Sequence, residues 1–192
     1  MPPIVLASSS QYRCKLLKKL QIEFTTQHSN IDERPLSGES PADLALRLAA
    51  AKAEAVAANY DHHLIIGSDQ VATVGLTLLS KPGNRENAIR QLEAQSGQIV
   101  RFFTGLCVLD SHSGRRLTDL DICEVHFRTL DNQQIQRYVD IEQPYDCAGG
   151  FKSEGYGIAL FRKIVGEDPN ALIGLPLIKL IALLDQFGAA IP

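Results

Sequence analysis

Short runs of apolar, β-branched residues alternate along this chain with segments whose apolar residues recur at helical spacing. Residues 4–7 and 63–67 have the composition of buried strands. Between them, Ser40-Pro41-Ala42-Asp43 resembles a capping box with proline in the first turn, and it opens an alanine-rich helix that we expect to end near Ala58. Alternation of this kind is typical of an α/β protein.

The other segments predict the rest of the sheet and its helices. Ser10 is a candidate helix cap, residues 22–26 have strand propensity, and residues 71–79 continue the second strand with a break at Gly75. Further helices are predicted over 84–95, from Asp131 and over 175–187. Residues 98–109 and 116–128 are predicted to form a long hairpin or two adjacent strands. Because a hairpin brings antiparallel pairing into the sheet, we expect a mixed sheet.

Composition excludes several classes of protein. The chain has 192 residues, 45% of them apolar, and a formal net charge of −3. These values are typical of a globular protein and exclude a disordered or collagen-like chain, and we expect one domain over residues 1–192. The slight acidity argues against a protein that coats nucleic acid, although it permits a small anionic ligand.

Cysteines and apolar stretches give no sign of disulfides, zinc or a membrane. The four cysteines form no CxxC pair, so buried free thiols are favoured. The first twenty residues lack the charged region of a signal peptide. The most apolar stretch, 171–184, is interrupted by Gly174, Pro176 and Lys179 and is too short to span a bilayer. We therefore expect a cytoplasmic protein.

Three segments carry cations suited to phosphate. Ser8 and its neighbours lead from a strand into a helix that bears Arg13, and Arg13 could grip a phosphate in bidentate fashion. The serines could equally be simple helix caps. Lys81, followed by Pro82, and Lys52, in the alanine-rich helix, could also reach a phosphate, although solvated lysines are more common.

The candidate carboxylates likewise each have a functional and an ordinary structural interpretation. Asp69 is expected in a glycine-containing turn just after an apolar strand, where α/β proteins place ligands, or it could simply bond its own backbone. Asp32 and Glu33 gain interest only if Asp69 lies nearby, because divalent cations need several oxygen ligands. Lys152 and Glu154 occupy a glycine-rich loop, which could be an ordinary surface loop with an ion pair.

Taken together, seven ordered segments resemble the Maf family of nucleotide pyrophosphatases over residues 4–184. They are LASSSQYRCKLL, the Ile31-Asp32-Glu33 loop, IIGSDQV, SKP, FFTG, CAGGFKSEG and DPNALIGLP. The resemblance implies an α/β fold like that of inosine triphosphatases, with an elongated mixed sheet flanked by helices and two lobes around a cleft. It also implies hydrolysis of nucleoside triphosphates between the α- and β-phosphates with a divalent cation, Mg²⁺ or Mn²⁺, and a possible homodimer.

The resemblance assigns roles residue by residue. Asp69 matches the catalytic carboxylate, and Glu33 and Asp69 match the acidic groups near the metal. The phosphate-facing positions are Ser8, Arg13, Lys52 and Lys81. Water attack assisted by Asp69 agrees with the chemistry expected of a carboxylate beside phosphate-binding cations.

Three further positions resemble the branch of the family that acts on 7-methyl-GTP: Tyr12, Gln70 and Glu154. An aromatic ring suits a cationic methylated guanine, a carboxylate can accept hydrogen bonds from its edge, and an amide can both donate and accept. Alternatively, Tyr12 only packs at the helix start and Glu154 pairs with Lys152. The competing functions are a dTTP/UTP pyrophosphatase and a nucleotide-binding regulator of cell division without catalysis.

Overall fold

The computed structural model describes residues 2–191, which form one seven-stranded sheet with helices. The strands are β1 (Ile4–Leu6), β2 (Phe24–Thr26), β3 (Leu64–Val74), β4 (Thr77–Leu79), β5 (Ile99–Asp110), β6 (Arg116–Phe127) and β7 (Phe161–Val165). The α-helices are α1 (Gln11–Leu17), α2 (Pro41–Ala57), α3 (Arg85–Gln95), α4 (Asn132–Glu142) and α5 (Leu177–Asp185). Short 3₁₀ turns occupy Lys18–Leu20, Ala148–Gly150, Tyr156–Leu160 and Ala171–Ile173.

The sheet is mixed, as predicted. Its strand order is β2-β1-β3-β5-β6-β7, and β4 pairs with β3 outside this path. β1 runs parallel to both β2 and β3. β4 is antiparallel to β3, and β7 is antiparallel to β6. The α/β class and the mixed sheet flanked by helices are therefore confirmed.

Local capping chemistry sets the helix starts. The side chain of Ser10 accepts a hydrogen bond from the Arg13 amide at the start of α1. Ser40 caps α2, with Pro41 as its first residue. Asp131 and Gln134 form a complete capping box at the start of α4. The structure confirms these helix starts. They could be predicted because a cap and its partner lie only a few residues apart in the sequence.

One expectation about the strands is wrong, and one strand was not predicted. The turn predicted to contain Asp69 is wrong: β3 is a single strand of eleven residues, with Asp69 inside it. The pairing of β3 with β1 covers only Leu64–Ile66, so β3 continues beyond it beside β5, and the strand stays extended despite the low strand propensity of Gly67 and Asp69. The sequence also gave no expectation for β7, in which only Phe161 is buried.

The chain divides into two compact units. Among the described residues, the first comprises 2–70, 103–121 and 168–191, and the second comprises 71–102 and 122–167. This division agrees with two lobes, while a cleft between them and a single domain over 1–192 stay predictions.

In the first unit, strand side chains alternate between two apolar clusters. Leu6 and Ile66 pack with α5, whose Leu180 and Leu184 are fully buried. Val5 and Ile65 pack instead with the alanine-rich face of α2. Because successive strand residues point to opposite faces, α5 and α2 cover the two faces of β1 and β3.

The second unit has an aromatic core. Phe102, Phe127, Phe151 and Phe161 contact one another edge to face, with ring centroids 5.0–5.5 Å apart. This geometry is the one that aromatic rings prefer. The core accounts for the burial of Phe161 at the start of the otherwise exposed β7.

The described residues also bear on two expectations about cysteines and membranes. All four cysteines are free thiols, and burial raises the pKa of the Cys107 thiol to about 11. Between residues 2 and 191, no helix has the length and apolar character needed to cross a bilayer.

Candidate active site

Asp69 lies in the middle of β3, in the first unit, and is only 8% exposed. Ile65, Gly67 and Asp69 alternate along the strand and so share the face covered by α2. Ser68 points to the opposite face, where its hydroxyl donates to the Gly174 carbonyl at 3.1 Å. The position of Asp69 is therefore fixed by a rigid strand rather than by a turn.

Glycine at position 67 allows α2 to lie against β3. A Cβ atom there would stand 2.1 Å from the Ala49 carbonyl oxygen and 2.9 Å from the Ala53 amide nitrogen. Gly105 on β5 has the same role further along the helix, where a Cβ would meet the Ala45 carbonyl at 2.2 Å. These two glycines bring the helix backbone into contact with the sheet, and Lys52 comes with it.

Lys52 connects two carboxylates. Its Nζ lies 2.5 Å from Asp69 Oδ1 and 2.7 Å from Glu33 Oε1. Lys52 and Asp69 are buried, whereas the Glu33 side chain is 58% exposed. A buried lysine requires such partners, because an unpaired buried charge is costly.

Glu33 belongs to a loop that is anchored to α2. Arg47 on α2 grips Glu39 with both a 2.5 Å and a 2.8 Å hydrogen bond and also donates to the Arg34 carbonyl. These bonds, with the Leu36 amide, lower the pKa of Glu39 to about 2. The neighbouring Asp32 pairs with the exposed Arg34, which lowers the pKa of Asp32 to about 2. Of the two adjacent carboxylates, only Glu33 reaches Lys52.

Arg13 lies in the first turn of α1, in the first unit. Its Nε donates to the Gly174 carbonyl at 2.8 Å, the oxygen that also accepts from Ser68. Burial lowers the pKa of Arg13, while the charges of Asp69 and Glu33 act in the opposite direction. Two cations, Arg13 and Lys52, thus accompany the two anions, and the formal charge of these four groups sums to zero.

The Ser8 hydroxyl is buried and accepts the Ser10 amide at 3.1 Å, which fixes the turn between β1 and α1. Tyr12, one residue before Arg13, is half-buried in the first turn of α1. Their roles toward phosphate and base stay predictions.

Gln70 is anchored within the first unit. Its Nε2 lies 2.9 Å from the Ala171 carbonyl, 3.1 Å from the Leu172 carbonyl and 3.1 Å from the Thr104 hydroxyl. Thr104 also donates to the Ala171 carbonyl. The side chain thus holds the 171–174 turn against the strands, a structural contact that the sequence did not predict. Its predicted role in base selection is untested.

Lys81 and Glu154 belong to the second unit. Lys81 is exposed between β4 and α3, and Glu154 is exposed with its carboxylate 3.4 Å from the Ser153 hydroxyl. Lys152 pairs with Glu142 at 3.7 Å rather than with Glu154. The structure therefore brings together Arg13, Glu33, Lys52 and Asp69, while a shared site with Lys81 and Glu154 stays a prediction.

Sequence reasoning missed four residues that shape the site. Gly67 was quoted within the IIGSDQV segment, but its close contact with α2 was not foreseen. Arg47 and Glu39 were not singled out, because no local pattern pairs an arginine in a helix with a loop glutamate. Gly174 has a φ of 123°, a left-handed value that favours glycine, and its place in DPNALIGLP is the signal that could have identified it.

The donor set suits a hard divalent cation bound together with substrate. Glu33 and Asp69 contribute carboxylate oxygens at neighbouring positions around Lys52. Mg²⁺ is usually held by one or two carboxylates, with phosphate oxygens and water completing its octahedron. Two carboxylates at neighbouring positions therefore fit Mg²⁺ or Mn²⁺.

Comparisons with known proteins give the family. The model of the family described as "Maf-like protein" matches residues 3–187. A "7-methyl-GTP pyrophosphatase" from Vibrio vulnificus is 56% identical, covering 96% of this chain and 95% of the relative. A protein of the same name from Alcanivorax borkumensis is 53% identical, covering 100% and 97%.

Among solved structures, the Staphylococcus aureus Ham1 protein gives a TM-score of 0.49 at 15% identity, covering 81% of this chain and 89% of that one. The family match covers nearly the whole chain and includes every residue of the predicted site. This chain belongs to the Maf family.

Proposed function

We propose that this protein is a nucleoside triphosphate pyrophosphatase that converts 7-methyl-GTP and water into 7-methyl-GMP and pyrophosphate. The relatives that share half or more of its residues carry the name of this activity. The observation that carries the proposal is the Lys52 ammonium between Glu33 and Asp69, with Arg13 alongside. This grouping provides a base, two cations for phosphate and two metal ligands.

Arg13 and Lys52 bind the triphosphate. A triphosphate carries about four negative charges, and cationic clamps are the usual means of stabilising them during phosphoryl chemistry. Because the four charged groups sum to zero, the site itself does not repel the anion. Ser8 and Lys81 are the further phosphate contacts that we assign from the family resemblance.

Asp69 acts as the general base. It takes a proton from the attacking water, whose oxygen forms a bond to the α-phosphorus while the bond from that phosphorus to the bridging oxygen breaks. Pyrophosphate leaves with the electrons of the broken bond. Lys52 orients Asp69 through the 2.5 Å hydrogen bond. A divalent cation bound by Glu33 and Asp69 would supply charge neutralisation at the phosphate oxygens.

Tyr12, Gln70 and Glu154 select the base. The Tyr12 ring stacks on the cationic methylated guanine, and the Glu154 carboxylate accepts hydrogen bonds from the guanine edge. Gln70 acts partly through the 171–174 turn that it holds. Glu154→Gln should therefore reduce turnover of 7-methyl-GTP more than turnover of UTP, and equal losses on both would remove Glu154 from base selection.

A nucleotide panel tests the proposal. Pyrophosphate release is measured from 7-methyl-GTP, GTP, dTTP and UTP, each with Mg²⁺, with Mn²⁺ and with a chelator. We expect metal-dependent release that is fastest with 7-methyl-GTP. A preference for dTTP and UTP would move the protein to the other branch, and binding without release under every condition would support a non-catalytic regulator.

Three expectations about the protein's surroundings stay predictions: a possible homodimer, a cytoplasmic location and the absence of a nucleic-acid partner. The first comes from the family resemblance. The other two come from the composition and from the N-terminal sequence.

A further inference from the structure

We propose that Asp61, His62 and His112 form a binding site for a transition-metal ion such as Zn²⁺, separate from the Asp69 site. All three residues belong to the first unit, and each offers a potential ligand atom to the same small volume. His62 Nε2 lies 3.5 Å from Asp61 Oδ2, and His112 Nδ1 lies 3.5 Å from Asp61 Oδ1.

The two imidazoles stack face to face. Their ring centroids are 3.8 Å apart with an angle of 22° between the planes. One potential ligand atom from each of the three residues lies within 4.8 Å of the other two. Two ligands bound to one tetrahedral zinc ion are about 3.3–3.5 Å apart, since zinc–nitrogen and zinc–oxygen bonds are about 2.0–2.2 Å long. An imidazole binds a metal through a lone pair in the plane of its ring, so the two exposed rings must turn out of the stack until their nitrogens converge on the ion.

The backbone holds the two parts of the site together. The His63 amide donates to the Ser111 hydroxyl at 2.9 Å, and the Ser111 amide donates to the His63 carbonyl at 2.9 Å. The His112 amide in turn donates to Asp110 Oδ1 at 3.0 Å. These bonds fix the segment before β3 against the turn between β5 and β6, so much of the entropy cost of assembling the ligands is already met by folding.

The ligand chemistry selects the metal. Imidazole nitrogen suits Zn²⁺, Cu²⁺, Ni²⁺ and Co²⁺, whereas Mg²⁺ and Mn²⁺ prefer oxygen ligands. The three side chains are between 60% and 76% exposed, so an ion can enter and water can complete its coordination. The histidine cluster therefore favours an ion such as Zn²⁺, whereas the carboxylates Glu33 and Asp69 favour Mg²⁺ or Mn²⁺.

Strand geometry keeps the two sites apart. Asp61 and His62 precede β3, whereas Asp69 lies five residues beyond its first residue, Leu64. At about 3.3 Å per residue, this stretch of strand spans roughly 16 Å. An ion at the proposed site would tie the segment before β3 to the 111–115 turn and stabilise the fold without touching the catalytic groups.

Calorimetric titration of the untagged full chain with ZnCl₂ near neutral pH, without nucleotide, tests the site. We expect one zinc ion per chain in the wild-type protein, and affinity at least about tenfold lower in His62→Ala and His112→Ala. His28→Ala removes an exposed histidine elsewhere in the first unit and should bind zinc like the wild type. Asp69→Asn should also keep this zinc affinity.

Thermal unfolding gives an independent readout. Zinc should raise the unfolding midpoint of the wild type and of His28→Ala, and this rise should disappear in His112→Ala. The proposal is overturned if the wild type binds no zinc, if His62→Ala and His112→Ala bind it as tightly as the wild type, or if binding disappears in Asp69→Asn.

Discussion

Two buried aspartates of the first unit, Asp69 and Asp168, have opposite hydrogen-bonding environments. Asp69 is 8% exposed and Asp168 is 1% exposed. Asp168 accepts the Asn170 amide and side chain, both at 2.8 Å, and the Ile178 amide at 2.7 Å. Asp69 instead accepts from the ammonium of Lys52 at 2.5 Å.

The two aspartates differ in the kind of group that donates the hydrogen bond. Two of the three donors to Asp168 are backbone amides, and Ile178 lies in the first turn of α5, so Asp168 joins the 168–170 turn to the start of that helix. Lys52 is a flexible side chain that also pairs with the exposed Glu33, so its charge can be shared with a phosphate. Asp168 is thus committed to the fold, whereas Asp69 remains available for chemistry.

Asp69→Asn gives the largest expected effect. The variant loses the proton acceptor, so we expect kcat for pyrophosphate release to fall about 10²–10⁴-fold, the usual contribution of a general base. Lys52 keeps Glu33 as a partner, and the unfolding midpoint should therefore change little. The exposed Asp185 provides a matched control, since Asp185→Asn should preserve both activity and midpoint. Near-normal release from Asp69→Asn would defeat the assignment.

Asp168→Ala tests the other half of the comparison. The substitution leaves two backbone amides and one side-chain amide without their acceptor, and each buried unsatisfied donor costs about 1–3 kcal/mol. We expect the free energy of unfolding, measured with urea, to fall by about 3 kcal/mol or more. Asp168→Asn retains one acceptor oxygen and should lose less. If Asp168→Ala unfolds like the wild type, Asp168 has no structural role of this kind.

The same contrast explains what the sequence could predict. Caps such as Ser40 and Asp131 were found because their partners lie three residues away. The proposed role of Asp69 came from the family resemblance. Its expected placement in a turn was wrong because β3, beside β5, continues past the end of β1, and this long-range neighbour outweighs local propensity. Local rules succeed where the physical partner is local.

Long-range partners could not be found in this way. The sequence presents Asp32 and Glu33 as equivalent neighbours, yet one pairs with Arg34 and the other with Lys52. Similarly, nothing near Asp168 in the sequence shows that it binds an amide ten residues later. Which carboxylate reaches Lys52 depends on how the loop is anchored to α2, and the contact between Arg47 and Glu39 is such an anchor.

Gly67→Ala sharpens the comparison by moving the partner of Asp69 without changing either charge. The added Cβ would stand 2.1 Å from the Ala49 carbonyl, so α2 must shift away from β3 and carry Lys52 with it. We expect kcat/KM to fall more than tenfold in the protein that remains folded, together with a lower unfolding midpoint. Ala55→Gly, at an exposed position of α2, weakens the helix by about 1 kcal/mol. This control should lower the midpoint while leaving kcat/KM within about twofold of the wild type.

Arg47→Gln tests whether the loop anchor sets the position of Glu33. The substitution removes the bidentate grip on Glu39, so Glu33 should lose its defined distance to Lys52. We expect kcat/KM for 7-methyl-GTP to fall roughly tenfold, equal to about 1.4 kcal/mol, and more of the metal to be needed for half-maximal activity. Arg34→Gln is the matched control, because it breaks the exposed pair with Asp32 and should change kcat/KM less than about twofold. Equal losses in the two variants would mean that Arg47 does not position Glu33.

The smallest expected effect is on the acid dependence of stability and concerns Glu39. Like Asp168, Glu39 is a carboxylate that stabilises the fold. Arg47 and the Leu36 amide lower the pKa of Glu39 from 4.5 to about 2, so folding favours its ionised form. This contribution is complete above about pH 4.5 and is lost as the pH falls toward about 2. In urea unfolding, the free energy of unfolding of the wild type should therefore exceed that of Glu39→Gln by a constant amount near neutral pH. This difference should shrink as the pH falls through that acid range. When Arg47→Gln is also present, the difference in free energy that Glu39→Gln causes should be small at every pH. In the wild-type background, a difference that persists at pH 2 would show that Glu39 stabilises the fold by some means other than its charge.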